Sequence, residues 1–225
     1  MAEPRVEAVL FDIDGTLITT GGAGAVAWRR AFEELHGKGV DIREVTESGM
    51  VDTEVGSTAL RGLLGRDPDG RELAAAMGRY LRHLPEAVAE SDGYRVMPGI
   101  EALLDRLVDT GHLLGLTTGN VEAAAHIKLS RGGLNRFFAF GGYGSDAMDR
   151  VGLTKCALDR ARVVSGGTVQ PERCISVGDT PRDVAAGHGA GIRVVGVATG
   201  NYGADELSAA GAEWVLETVE DGFPV

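Results

Sequence analysis

Short apolar runs that stop abruptly at polar residues constrain the fold of this chain more than any other feature. Val9-Leu10-Phe11 breaks into Asp12-Ile13-Asp14-Gly15-Thr16, as a strand buried on both faces does where it leaves a parallel sheet. Leu113 to Leu116 ends in Thr117-Thr118-Gly119-Asn120, Cys174 to Val177 in Gly178-Asp179-Thr180, and Arg193 to Val197 in Ala198-Thr199-Gly200. Helical periodicity lies between the runs, clearest in Ile100, Leu103, Leu104, Leu107 and Val108. Strand and helix in alternation predict an α/β fold, a doubly wound parallel sheet.

The alternation fails between about Thr19 and Gly93. Trp28, Ala31, Phe32 and Leu35 form one apolar stripe, Val55, Ala59, Leu60, Leu63 and Leu64 a second, and Leu73 to Leu84 a third. Successive helices without strands cannot belong to the sheet. They predict a small all-α unit over residues 19–93, inserted after the first strand into a core made of residues 1–18 and 94–225. Entry is expected through Gly21-Gly22-Ala23-Gly24 and exit near Gly93 and Pro98-Gly99.

Composition narrows the partners. Acidic residues outnumber basic ones by 33 to 22, a net charge of -11 that repels nucleic acid and anionic lipid. No apolar run approaches the roughly 20 residues of a membrane span, and Met1-Ala2-Glu3-Pro4 lacks a basic-then-apolar leader. A cytoplasmic protein, monomer or homodimer, is expected. Cys156 and Cys174 lie in no metal or redox spacing and read as structural thiols.

Ligands of open α/β sheets bind beyond the carboxyl ends of the strands, so the residues that end the apolar runs should converge. They are Asp12, Asp14, Thr117 or Thr118, Asp179 and Asp183. Carboxylates gathered in this number repel one another unless a hard cation sits among them, and without His or Cys nearby that cation is expected to be Mg2+. Asp12 and Asp14, two residues apart, can divide the work: one attacks phosphorus to give an aspartyl-phosphate, while the other protonates the leaving oxygen and later deprotonates water. Gly15 permits the tight exit from the strand, and the loop through Thr16 offers N–H groups to a phosphate. Thr118, Gly119 and Asn120, at the start of a helix near Val121, read as another anion site.

These residues resemble the motifs of the haloacid dehalogenase superfamily over nearly the whole chain. The family's opening motif, Asp-x-Asp-x-Thr, is matched by Asp12-Ile13-Asp14-Gly15-Thr16. Its next motif, a Ser or Thr closing a strand, is matched by Thr118, and its last, Gly-Asp-x-x-x-Asp, by Gly178 to Asp183. The resemblance implies that Asp12 is the nucleophile and Asp14 the general acid/base. It also implies that Asp12, the Asp14 carbonyl and Asp179 bind magnesium with Asp183 behind them, and that residues 19–93 form a cap that selects substrate. Asp14 disfavours dehalogenases, which lack that acid, and phosphonatases, which carry a cap Schiff-base Lys where this insertion has only Lys38. Met97-Pro98-Gly99, Thr118-Gly119-Asn120 and Val177-Gly178-Asp179-Thr180 resemble the phosphoglycolate phosphatase-like branch. The expectation is a magnesium-dependent phosphomonoester hydrolase for a small phosphorylated metabolite. The alternatives are a β-phosphoglucomutase-like phosphoryl transfer or a catalytically silent binding module.

The family's third motif, a cation usually followed by Pro, has no direct match. Arg150 and Lys155 lie in the right interval, and Arg150 is favoured by position. Trp28, Phe32 and Met50 either pack the insertion or face the substrate.

Overall fold

The four apolar runs are strands lying side by side. The computed structural model describes residues 6–225, so the N-terminal tetrapeptide read above lies outside the described residues. In chain order the elements are β1 (Ala8–Phe11), β2 (Ile18–Thr20), α1 (Ala23–His36), α2 (Asp52–Leu64), α3 (Gly70–Glu90), β3 (Tyr94–Val96), α4 (Ile100–Asp109), β4 (Leu113–Thr117), α5 (Glu122–Ser130), β5 (Phe140–Gly142), α6 (Arg150–Val164), β6 (Cys174–Gly178), α7 (Pro181–Gly189), β7 (Arg193–Val197), α8 (Ala204–Ala209) and β8 (Trp214–Leu216), with short 3-10 turns between some of them.

Six strands form one parallel sheet in the order β5-β4-β1-β6-β7-β8. The chain builds outward from β1 through β4 to β5, then returns to the other side of β1 to lay down β6, β7 and β8. The strand order therefore reverses at β1, and a crevice is expected beyond its carboxyl end. Both faces of the sheet are covered. Val9 and Phe11 pack with Leu114, Ile175, Leu104 and Leu129 in one layer, while Ala8 and Leu10 pack with Phe140, Ala157 and Leu158 in the other.

Residues between β2 and β3 form the expected helical insertion, with an apolar core of its own. Trp28 stacks on Tyr80 at 4.3 Å between ring centroids and on Phe32 at 5.4 Å, which settles Trp28 and Phe32 as packing residues. Asp69 caps α3 by accepting from the Arg71 and Glu72 amides while Glu72 accepts from the Asp69 amide, an arrangement worth about 1 kcal/mol.

Two features were not anticipated. The chain enters and leaves the insertion through an antiparallel ribbon, with Ile18 opposite Val96 and Thr20 opposite Tyr94, rather than through a loose glycine linker. The insertion's apolar core is also completed from outside, by Val121 and Ala124 at the start of α5.

Candidate active site

Asp12 is the first residue past β1, and its amide still donates to Val177 of the neighbouring strand at 2.9 Å. The chain then turns sharply: Leu17 and Ile18 both donate to the Ile13 carbonyl, and Gly15 donates to Ile18. Gly15 sits at φ +90°, and a Cβ there would lie 2.4 Å from Asp179 Oδ2, so no side chain fits. Thr16 folds back to donate from Oγ1 to Asp179 Oδ1 at 3.2 Å. Thus the first turn and the end of β6 are tied together.

Asp12, Asp179 and Asp183 each bring a carboxylate oxygen within 4.8 Å of the others, all three buried. Burial raises the pKa of Asp12 above the ordinary carboxylate range, and the charge of Asp183 adds to it while Arg150 opposes. Asp179 is raised likewise, by burial first and then by Asp12 and Asp183. Asp183 divides its oxygens. Oδ2 accepts from the Thr180 amide and hydroxyl at 3.0 and 2.6 Å, closing a capping box on α7, while Oδ1 meets Arg150.

Arg150 is the first residue of α6, whose N-terminus Asp149 caps by accepting from Gly152 at 2.8 Å. Its Nη2 donates to Asp12 Oδ1 at 3.1 Å and to Asp183, and its Nη1 donates to the Gly49 carbonyl of the insertion at 3.1 Å. Burial works against the guanidinium's charge, but Asp183 and Asp12 outweigh it and hold its pKa above the ordinary value. Arg150 Nε is buried without a partner among the described residues. Lys155, the other candidate, is exposed on α6 and touches none of this. Five residues along a helix is a rotation of about 140°, which sets Lys155 away from the face that Arg150 presents.

Asp14 faces away from the three carboxylates. Its Oδ2 accepts from Lys128 Nζ at 2.6 Å and from Asn120 Nδ2 at 2.8 Å, which draws that oxygen toward α5. Lys128 was not read from the sequence. Burial opposes its charge, yet Asp14 and Asp52 hold its pKa up. Its signal is spacing: on α5 it follows Val121 by seven residues, about two turns, so it shares the helix face that starts at the strand ends.

Thr118 is fully buried, with Oγ1 accepting from the Asn120 amide and Nδ2 at 3.3 and 2.8 Å. The start of α5 is not wholly open to an anion, as the sequence suggested. Asp52 of the insertion accepts from the Val121 amide at 2.9 Å and donates its own amide to the Gly119 carbonyl at 2.8 Å. Gly119 is under the insertion: a Cβ there would lie 2.7 Å from the Met50 carbonyl. Burial raises Asp52 to about 6, with Lys128 and the Val121 amide pulling the other way.

These contacts, with Arg182 to Glu47 at 2.6 Å, seat the Glu47–Asp52 stretch on the strand ends. A cavity of about 130 Å³ remains beneath it, lined by Asp12, Asp14, Thr118, Asn120, Lys128, Arg150 and, from the insertion, Ser48, Gly49, Met50 and Asp52. Met50 therefore borders the cavity while also packing against the insertion's apolar core. Gly49 and Arg150 also line a wider cleft of about 750 Å³ between α2 and the starts of α6 and α7.

The donor set suits a hard cation. Three clustered carboxylates face one guanidinium, every donor is oxygen, and the burial and mutual repulsion that raise Asp12 and Asp179 are what a divalent ion would offset. Among the described residues no helix is long and apolar enough to cross a membrane.

A sequence model of the haloacid dehalogenase-like hydrolases matches residues 9–197. The chain is 32% identical over 239 residues to the phosphoglycolate phosphatase of Rhodospirillum rubrum, covering 97% of this chain and 92% of that one. It is 28% identical over 224 residues to the pyrophosphatase PpaX of Bacillus velezensis, covering 98% and 96%. Its fold is that of CbbY from Rhodobacter sphaeroides, solved in complex with phosphate, with a TM-score of 0.72 at 21% identity and 96% of each chain covered.

Proposed function

The chain belongs to the haloacid dehalogenase-like hydrolases and is a phosphatase of that family, and on that premise we propose that it is a magnesium-dependent phosphomonoester hydrolase acting on a small phosphorylated metabolite. One observation carries the reading: two carboxylates two residues apart open on one cavity of about 130 Å³ but keep different company. Asp12 lies with Asp179, Asp183 and Arg150, the place for a nucleophile under an anionic phosphoryl group. Asp14 is turned away, the place for an acid at the leaving oxygen.

In the proposed cycle an Asp12 oxygen attacks phosphorus, the bond to the leaving oxygen breaks, and Asp14 supplies that oxygen with a proton. Asp14 then takes a proton from the water that attacks the aspartyl-phosphate, which releases inorganic phosphate and restores Asp12. Arg150 bridges Asp12 and a phosphoryl oxygen, as a planar guanidinium fork can. Thr118, with Gly119, Asn120 and the Gly15-Thr16 turn, borders the phosphoryl position. Asp12, Asp179 and the Asp14 carbonyl, with Asp183 behind them, would hold Mg2+, which supplies charge neutralisation of the carboxylates and of the phosphoryl oxygens. Residues 19–93 act as the cap, closing to exclude water and opening to release product.

The cavity holds a phosphoryl group and a few further atoms, so the relatives' names give the first substrates to try, 2-phosphoglycolate and pyrophosphate. The test is turnover of p-nitrophenyl phosphate with magnesium by the wild type and by Asp12→Asn, which keeps the shape and removes the nucleophile. Loss of essentially all phosphate release with folding retained is expected. Comparable release by the variant overturns the reading, and transfer to a sugar acceptor without net phosphate release would make the protein a mutase.

A further inference from the structure

Lys128 has no part in the cycle above, yet it is the only lysine among the buried residues of the described chain. Burial of an ion pair rarely stabilises a protein more than apolar packing of the same volume would, so stability alone is a weak reason for it. Its bonds suggest another. Nζ donates to Asp14 Oδ2 at 2.6 Å and to Asn120 Oδ1 at 2.6 Å. Asn120 closes the ring by donating from Nδ2 to the same Asp14 Oδ2 at 2.8 Å, while the same Nδ2 also reaches Thr118 Oγ1 at 2.8 Å.

Two donors therefore converge on one oxygen of Asp14. Its Oδ1 accepts no side-chain hydrogen bond among the described residues, and the side chain is 41% exposed. A free carboxylate turns broadly about its last torsion. With Oδ2 fixed from two sides, the direction of Oδ1 is fixed as well.

We propose that Lys128, with Asn120, is the positioning residue that aims Asp14 Oδ1 at the leaving-group oxygen. The inference rests on Asp14 being the general acid/base. Lys128 acts through Asp14 and does not serve as a further phosphate-binding cation, because two of its three N–H bonds are already committed and Arg150 holds the nucleophile's side of the cavity.

The experiment compares wild type, Lys128→Met, Asp14→Asn and the double variant in the first turnover, with p-nitrophenyl phosphate, whose leaving group needs no proton, and with an alkyl phosphate, whose leaving group does. Lys128→Met should slow alkyl release by roughly a hundredfold, within the range of general acid catalysis, and leave p-nitrophenolate release within about threefold. The double variant should be no slower than Asp14→Asn alone. Equal losses on both esters, additive losses in the double variant, or a raised KM with unchanged kcat would each overturn the proposal. Should Lys128→Met fail to fold, Lys128→Gln, which removes the charge and is too short to keep the same bond to Oδ2, must show the same ester selectivity, or the proposal falls. An inert Asp12→Asn and a selective Asp14→Asn beside an unselective Lys128→Met would sink this inference alone, whereas an active Asp12→Asn sinks the reading beneath it.

Discussion

Arg150 Nη2 lies 3.1 Å from Asp12 Oδ1, while the Nη1 of the same guanidinium is bonded to the Gly49 carbonyl of the insertion. One planar fork thus touches the proposed nucleophile and the lid above it, a geometry that a lysine's point charge would not reproduce.

Arg150→Ala should therefore lower the maximum rate by about one to three orders of magnitude, as for loss of a charged stabiliser in a closed site. Lys155→Ala, on the exposed face of α6, should change it less than about threefold. Steady-state rates at saturating magnesium decide, and the reverse ranking would return the role to Lys155.

The carboxylate cluster predicts an inverted pH dependence of stability without metal. Asp12, Asp179 and Asp52 all have folded pKa values raised above their unfolded ones. The folded state then holds more protons than the unfolded one, so stability falls as pH rises. The loss begins near the unfolded value of about 4 and proceeds as each group gives up its proton. For Asp52 the folded value is about 6. The metal-free Tm should fall by several degrees between pH 5 and pH 8, at about 2–4 °C per kcal/mol for a chain of this size, and magnesium should restore most of it at pH 8. Asp12→Asn should flatten the slope. A metal-free Tm that rises over this interval would contradict the arrangement.

Asp52→Ala removes the acceptor of the Val121 amide, which leaves a buried N–H unsatisfied at a cost of about 1–3 kcal/mol to the closed arrangement. Faster amide exchange at Val121 and earlier proteolysis in the Glu47–Asp52 stretch should follow. Unchanged exchange would show that this contact does not hold the insertion down.

Met50 is the insertion residue to vary for selectivity, because it borders the cavity while Trp28 and Phe32 do not. Met50→Ala and Met50→Phe should change the ranking of phosphomonoesters by kcat/KM. If every substrate shifts by one common factor, the insertion is a lid without a selective role.

What the sequence revealed and what it hid have separate physical causes. The runs ending at Asp12, Thr118 and Asp179 were legible because strands buried on both faces must be apolar throughout, and the abrupt polar ends mark the crevice. β5 and β8 were not, since Phe140-Gly141-Gly142 and Trp214-Val215-Leu216 are too short and too mixed to stand out. Arg150 was found by position, but Lys128 resembles any lysine in the last turn of a helix, complementing its dipole. Its burial comes from Asp14 and Asp52, far away in sequence, and no local pattern encodes that. Asp52 similarly reads as an ordinary acid in a first helical turn, and only the docking of the insertion turns it toward Val121.

The apolar face that Val121 and Ala124 offer to the insertion bears on how lids of this kind can be exchanged. A chimera built by splicing residues 19–93 from a relative would set foreign helices against the native start of α5. Mismatched volumes there would leave voids or overlaps directly behind Asn120 and Lys128. The transplantable unit is therefore discontinuous: the helical segment together with the outward side chains of α5. Recombination between relatives should succeed most often when both come from the same parent.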